Sequence, residues 1–105
     1  TGMAQIDEYL KQVVARNGSD LHFIAGEPPR ARVYGDLVIL GAETLAAAKV
    51  EAALTEIMPA KAREEFNRRD SADFAHSVAE LARFRVNVFR HVGGMGGIFR
   101  AIPSQ

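Results

Sequence analysis

The sequence predicts an α+β fold in which a mostly antiparallel six-stranded sheet is packed by about three helices, in the order α-βββ-αα-βββ. Apolar residues recur at helical spacing near the N-terminus and in the middle of the chain, and they alternate at strand spacing elsewhere. The helical and strand patterns occur in blocks, which is typical of an α+β fold rather than of a βαβ repeat. A chain of 105 residues is long enough for one domain with its own core.

The first predicted element is a helix. Ile6, Leu10, Val13 and Val14 are spaced i, i+4, i+7 and i+8, so they share one helical face. The pair Asn17-Gly18 then favours a left-handed helix end. Ahead of this helix, residues 1–2 (Thr-Gly) precede a methionine, and we interpret them as an artificial extension of a domain that occupies residues 3–102.

Three short strands follow the helix. Residues 21–25 alternate between apolar and mixed positions, which predicts a strand with one buried face. After the break at Pro28-Pro29, residues 30–34 and 37–40 form a predicted hairpin, and Gly35-Asp36 is its predicted two-residue turn.

Two helices are predicted in the middle of the chain. Thr44 is expected to cap a helix that runs to about Met58. Its apolar side is formed by Leu45, Val50, Leu54, Ile57 and Met58. Pro59 suits the first turn of a second, shorter helix that ends at about Arg68.

Three more strands complete the sheet, at residues 72–76, 83–90 and 97–102. The segment HVGGMGG joins the last two. It lacks the G-x-x-x-x-G-K-[ST] pattern of a phosphate loop and precedes a strand instead of a helix, so it does not provide a helix N-terminus for an anion. We therefore predict a flexible hairpin loop.

The segment RFRVNVFR is the most informative strand. Alternation places three apolar side chains in the core, namely Phe84, Val86 and Val88. Arg83 and Arg85 then lie on the opposite face, about 6–7 Å apart along the strand. These like charges are either simply solvated or bridged by an anion. Arg100 joins them if its strand pairs with this one.

Composition limits the possible functions. Net charge is zero, so bulk attraction to nucleic acid is not expected, although ten of the 13 cationic residues are arginine. The chain has no cysteine, which excludes disulfides and thiolate metal sites. No apolar run approaches the roughly 18 residues of a membrane span, and there is no signal peptide pattern. A soluble, cytosolic domain is therefore expected.

The cluster Ser19-Asp20-x-His22 invites a hydrolytic interpretation. Local evidence does not support one, because neighbours in a strand point to opposite faces and no nucleophile elbow surrounds Ser19. Ser19 and Asp20 are expected to bond the backbone of a turn. His22 is expected to be a structural histidine, with a phosphate or interface contact as the alternative. The three histidines lack ligand spacing, so no metal site is predicted.

Three segments in combination resemble a known family. They are GSDLHFIAGEPPRARVYGDL, EIMPAKAREEF within the helical middle, and ARFRVNVFRHVGGMGGIFRAIP. Together they resemble the N-terminal domain of the type IV pilus retraction ATPases, the PilT-like proteins of twitching motility in the secretion ATPase superfamily. The resemblance covers residues 6–103.

This resemblance implies a PAS-like domain at residues 3–102, followed at residues 103–105 by the start of a linker to a RecA-like motor domain. The whole enzyme would be a cytoplasmic homo-hexamer at the inner-membrane base of the pilus machine, in indirect contact with its membrane platform. It would bind ATP and Mg²⁺ between the two domains. The present chain has no Walker A or B motif, so alone it is expected to be no enzyme and to hold no cofactor, metal or nucleic acid.

The resemblance also implies a role for the exposed arginines, since arginines of this domain reach toward the terminal phosphate in the superfamily. Arg83 and Arg85 are the candidate arginine fingers, and Arg100 is a candidate nucleotide-binding residue. Asp20 and His22 match the family signature and are expected to be structural or interface residues.

Two alternatives remain open on the sequence. One is a freestanding PAS-like sensory or scaffold domain that binds a small ligand. The other is the matching domain of a related secretion or pilus-assembly ATPase. A Walker A motif in the reading frame after Gln105 would favour a motor, whereas a stop codon or a signalling helix would favour the sensor.

Overall fold

The computed structural model describes residues 4–103. The helices are α1 (Asp7–Ala15), α2 (Ala47–Ile57) and α3 (Ala60–Arg69). The strands are β1 (Asp20–Ile24), β2 (Arg30–Val33), β3 (Asp36–Ile39), β4 (Ser71–Val78), β5 (Ala82–His91) and β6 (Gly94–Ile102). The interpretations placed on residues 1–2 and on residues 104–105 lie outside the described residues. Within residues 4–103, no helix has the length and hydropathy to cross a membrane.

The six strands form one sheet in the order β3-β2-β1-β6-β5-β4, and each neighbouring pair is antiparallel. The predicted α+β class and the predicted order of elements are confirmed. β6 lies between β1 and β5, so the first and last strands pair at the sheet centre. There Phe99 pairs with Leu21 on one side and with Val86 on the other, and all three are buried.

The helices cover one face of this sheet. α1 packs against β1 and β2, α2 against β6, and α3 against β4. The predicted core residues Phe84, Val86 and Val88 face these helices and are almost completely buried. Arg83, Arg85 and Asn87, which alternate with them along β5, are exposed, and no helix covers this second face.

The β2–β3 turn was predicted one residue too late. Val33 pairs with Asp36, so the two-residue turn is Tyr34-Gly35. Both turn residues have positive φ, 51° and 87°, which is the pattern of a type I′ turn. Asp36 therefore belongs to the strand ladder. By contrast, Asn17 has φ 58° and confirms the predicted left-handed end of the first helix.

The predicted cap at Thr44 is also wrong. α2 begins at Ala47, and its N-cap position is Ala46, which has extended backbone and no side-chain cap. Leu45 explains the shift, because its N–H donates to the Glu27 carbonyl at 2.9 Å and its carbonyl accepts from Gly26 at 2.8 Å. These two bonds hold the backbone at Leu45 against the β1–β2 loop and delay the helix.

The glycine-rich segment is mostly strand, so the flexible loop was a wrong prediction. His91 pairs with Gly94, which leaves only Val92 and Gly93 in the turn. The glycines that follow permit close packing on both faces of β6. A Cβ at Gly96 would lie 2.7 Å from the Phe89 ring. One at Gly97 would lie 2.9 Å from a Leu54 methyl group.

Candidate functional site: the arginine face of the sheet

The pairing of β5 with β6 brings two of the predicted arginines together. Arg85 lies directly opposite Arg100, which confirms the expectation that Arg100 joins this face if the strands pair. Both line a shallow, open depression of about 340 Å³, together with Asp73, Val86, Asn87 and Ile98. Arg83 lies two residues along β5, opposite Ile102, beside a different depression.

Two arginines of β5 carry positive charge that no ion pair compensates within residues 4–103. Arg83 and Arg85 are exposed, and neither forms an ion pair with any other side chain among residues 4–103. Like charges directly opposite each other destabilise an antiparallel pair unless solvent or a counterion separates them. Guanidinium groups bind phosphate and carboxylate oxygens in a bidentate geometry. The face is therefore suited to an anion.

Asp20 supplies the nearest negative charge on β1. It pairs across β6 with Arg100, and its Oδ2 lies 3.5 Å from the Arg100 Nε. Ser19 donates its hydroxyl to the other carboxylate oxygen, Oδ1. The expected turn in which both side chains bond the backbone is not present. The Ser19 N–H bonds to the Arg32 carbonyl instead, so the strand ladder already begins here.

His22 shares the open face with Asp20. It lies between Arg30 of β2 and Ile98 of β6. Desolvation by burial lowers the pKa of His22, and the nearby Arg32 and Arg30 act in the same direction, whereas Asp20 and Glu27 oppose them. The imidazole is therefore neutral at neutral pH. Its predicted structural role, and the alternative of a phosphate or interface contact, both stay predictions.

The other histidines do not contribute to this face as ligands. His76 Nε2 lies 2.7 Å from Asp7 Oδ1, a contact that ties β4 to α1. His91 stacks edge-on against Phe89. Among the described residues, no three His, Cys, Asp or Glu side chains are grouped so that they could hold a metal ion.

Sequence reasoning missed two further arginines on the same face. Arg30 and Arg32 alternate along β2 and pair with His22 and Asp20. Each already has a partner: Arg30 lies 2.8 Å from the Glu27 carboxylate, and Arg32 donates to the Gly35 carbonyl at 2.9 Å. The alternation in RARV indicates that both arginine side chains share one face of the strand. Only the strand register shows which residues lie beside them.

Known proteins resemble this chain in sequence and in fold. No family model matches the chain. Over 100 residues the chain is 40% identical to the type IV pilus retraction ATPase PilT of Pseudomonas aeruginosa, a match that covers 95% of this chain and 29% of that protein. The chain belongs to the PilT-like ATPases. It corresponds to their N-terminal domain, and it spans less than a third of the length of the curated relative.

Two further PilT-like relatives agree with this assignment. The type IV pilus ATPase PilU of the same organism is 28% identical over 96% of this chain and 26% of its own length. A crystal structure of the pilus retraction motor PilT with bound ADP superposes with a TM-score of 0.86 at 27% identity. That superposition covers 99% of this chain and 30% of the PilT chain.

Proposed function

We propose that this chain is the N-terminal domain of a hexameric type IV pilus retraction motor, and that its open sheet face completes an ATP site. The pairing of Arg85 with Arg100 on that face, where Arg85 forms no ion pair with a described residue, is the observation that carries the proposal. The ADP bound to the PilT relative supports a nucleotide as the anion.

The arginines would act on the phosphate chain of ATP. During phosphoryl transfer, negative charge is spread over the terminal phosphate and the leaving oxygen, and a guanidinium placed there lowers the barrier. Arg83 and Arg85 are the proposed fingers, and Arg100 the proposed nucleotide-binding residue. The sequence has no Walker A pattern, so the phosphate loop, Mg²⁺ and the attacking water belong to a RecA-like motor domain.

Assembly follows from the same proposal. The domain packs on the motor domains of its own and of a neighbouring subunit. The hexamer acts in the cytoplasm at the inner-membrane base of the pilus machine, where hydrolysis drives pilus disassembly and twitching motility. The higher identity to PilT than to PilU, 40% against 28%, favours the retraction motor over that paralogue.

The test uses the full-length motor with Arg83→Ala and Arg85→Ala. Each variant is expected to lower ATP turnover at least tenfold, on the order of the loss of one charge-stabilising donor. The midpoint of thermal unfolding should change little, because both side chains are exposed. Arg69→Ala is the matched control, since Arg69 is an exposed arginine on α3, away from the open face.

Parental turnover in both variants would contradict the arginine assignment. Equal losses in the Arg69→Ala control would show that turnover responds to any lost surface arginine. The sensor alternative is tested separately: a stop codon directly after Gln105 in the reading frame would contradict the motor.

A further inference from the structure

Asp20 is a buried carboxylate on the open face, and its burial requires an explanation. Only 5% of the residue is exposed. Moving an ionised carboxylate out of water is costly unless hydrogen bonds and opposite charge compensate for the lost hydration. The residues that contact Asp20 must offset this desolvation cost, and they therefore indicate the role of its carboxylate.

Of the two arginines beside Asp20, only Arg100 forms an ion pair with its carboxylate. Arg32 and Arg100 flank it in register on the two neighbouring strands. The Arg32 guanidinium is engaged elsewhere, because it donates to the carbonyl of Gly35 at 2.9 Å. Ser19 occupies one carboxylate oxygen, Oδ1, and the other oxygen, Oδ2, faces the Arg100 Nε at 3.5 Å.

The contact with Asp20 involves only one of the three guanidinium nitrogens of Arg100. Asp20 contacts the Nε atom, whereas the terminal Nη1 and Nη2 groups have no partner among residues 4–103, and the side chain is 74% exposed. A guanidinium is planar, so a contact at Nε restrains the direction of both terminal nitrogens. Arg100 lines the same depression as Arg85.

Stability alone does not account for the pair. An ion pair with one largely exposed partner contributes little to folding, while the buried partner carries a desolvation cost. What the contact does supply is orientation, together with a negative charge that offsets repulsion between Arg85 and Arg100.

We propose that Asp20, secured by Ser19, is a positioning residue that orients the guanidinium of Arg100 toward the terminal phosphate of ATP. This inference rests on the proposed function, because that function supplies the phosphate. It goes beyond the sequence-based expectation that Asp20 is a structural or interface residue.

The test is a double-mutant cycle on ATP turnover by the full-length motor. Asp20→Asn removes the charge with little change in shape, and Arg100→Lys keeps the charge but removes the Nε contact. Each single variant is expected to lower kcat about five- to tenfold, the effect of one charge-assisted hydrogen bond, with less change in KM. The double variant is expected to match the single ones, because both remove the same contact.

Arg83→Lys provides the control cycle. Arg83 pairs with Ile102 and not with Asp20, so its effect should multiply with that of Asp20→Asn. If Asp20→Asn fails to fold, Ser19→Ala replaces it; it is expected to lower kcat about twofold to threefold, and this loss should vanish in the Arg100→Lys background.

The outcomes separate the two claims. If Arg83→Ala, Arg85→Ala and Arg100→Ala all leave turnover unchanged, the proposed function fails and this inference fails with it. If those variants are impaired but the effects of Asp20→Asn and Arg100→Lys multiply, the positioning role alone is overturned. The positioning role would likewise be overturned if the variants lost turnover only in proportion to the decrease in their midpoint of thermal unfolding.

Discussion

On the open face, His22 is the residue whose pKa is changed most clearly by its surroundings. Desolvation lowers its pKa, Arg32 and Arg30 lower it further, and Asp20 opposes them. In the unfolded chain the imidazole titrates near its ordinary pKa of about 6.5. As pH falls through that value, the unfolded state binds more protons than the folded state, so the free energy of unfolding decreases. The decrease stops below the folded pKa.

The His22→Gln variant should therefore lose less stability than the parent on acidification. Urea unfolding at about pH 7.5 and about pH 5.5 measures this difference, because His22 is neutral in both states at the higher pH and charged mainly in the unfolded state as pH falls. Other titrating groups are common to both proteins and cancel in the comparison. Equal losses in parent and variant would show that His22 is not desolvated.

The sequence predicts which face of the sheet a side chain occupies, but it does not predict which residues lie beside that side chain on neighbouring strands. Alternation within one strand placed Phe84 in the core and Arg85 on the open face, as the structure confirms. The contact between Asp20 and Arg100 joins residues 80 positions apart, and it depends on the register between two strands. No pattern within either segment contains that register.

In β6, a run of glycines allows neighbouring side chains to pack closely against the strand backbone. Gly97 lies beneath α2, where a Cβ would approach one Leu54 methyl at 2.9 Å and the other at 3.3 Å. Leu54 is completely buried, so it has little room to move away. Gly97 therefore allows α2 to lie close to the sheet.

Gly97→Ala is expected to destabilise the chain by about 1–3 kcal/mol, the usual cost of overpacking a core. Gly41→Ala is the matched control, because the nearest atom to its Cβ would be Pro29 Cγ at 3.8 Å. That control should change stability by no more than about 0.5 kcal/mol. Urea unfolding gives both values, and equal effects at the two positions would contradict the packing role.

Element type was predicted better than element ends. Helix and strand periods identified each element in the correct order, because periodicity reports which face is buried. The helix start at Ala47 and the turn at Tyr34-Gly35 depart from prediction. Backbone bonds from Leu45 override the capping preference of Thr44, and strand pairing at Asp36 overrides its turn preference.

For the whole molecule, the order of strands decides which residues form the candidate site. The insertion of β6 between β1 and β5 collects Asp20, Arg100 and Arg85 in one row across the sheet. The helices cover the opposite face, so Arg85 and Arg100 stay accessible to a partner domain. The α+β class followed from local patterns, but this non-local pairing did not, and it came only with the structure.

The most direct test of the central claim is a structure of the full-length hexamer with a non-hydrolysable ATP analogue. The distances to measure join the guanidinium nitrogens of Arg83, Arg85 and Arg100 to the oxygens of the terminal phosphate. The proposal predicts that at least one lies within about 3.2 Å, the range of a hydrogen bond. A terminal phosphate bound with all three guanidiniums turned to solvent or to another interface would contradict it.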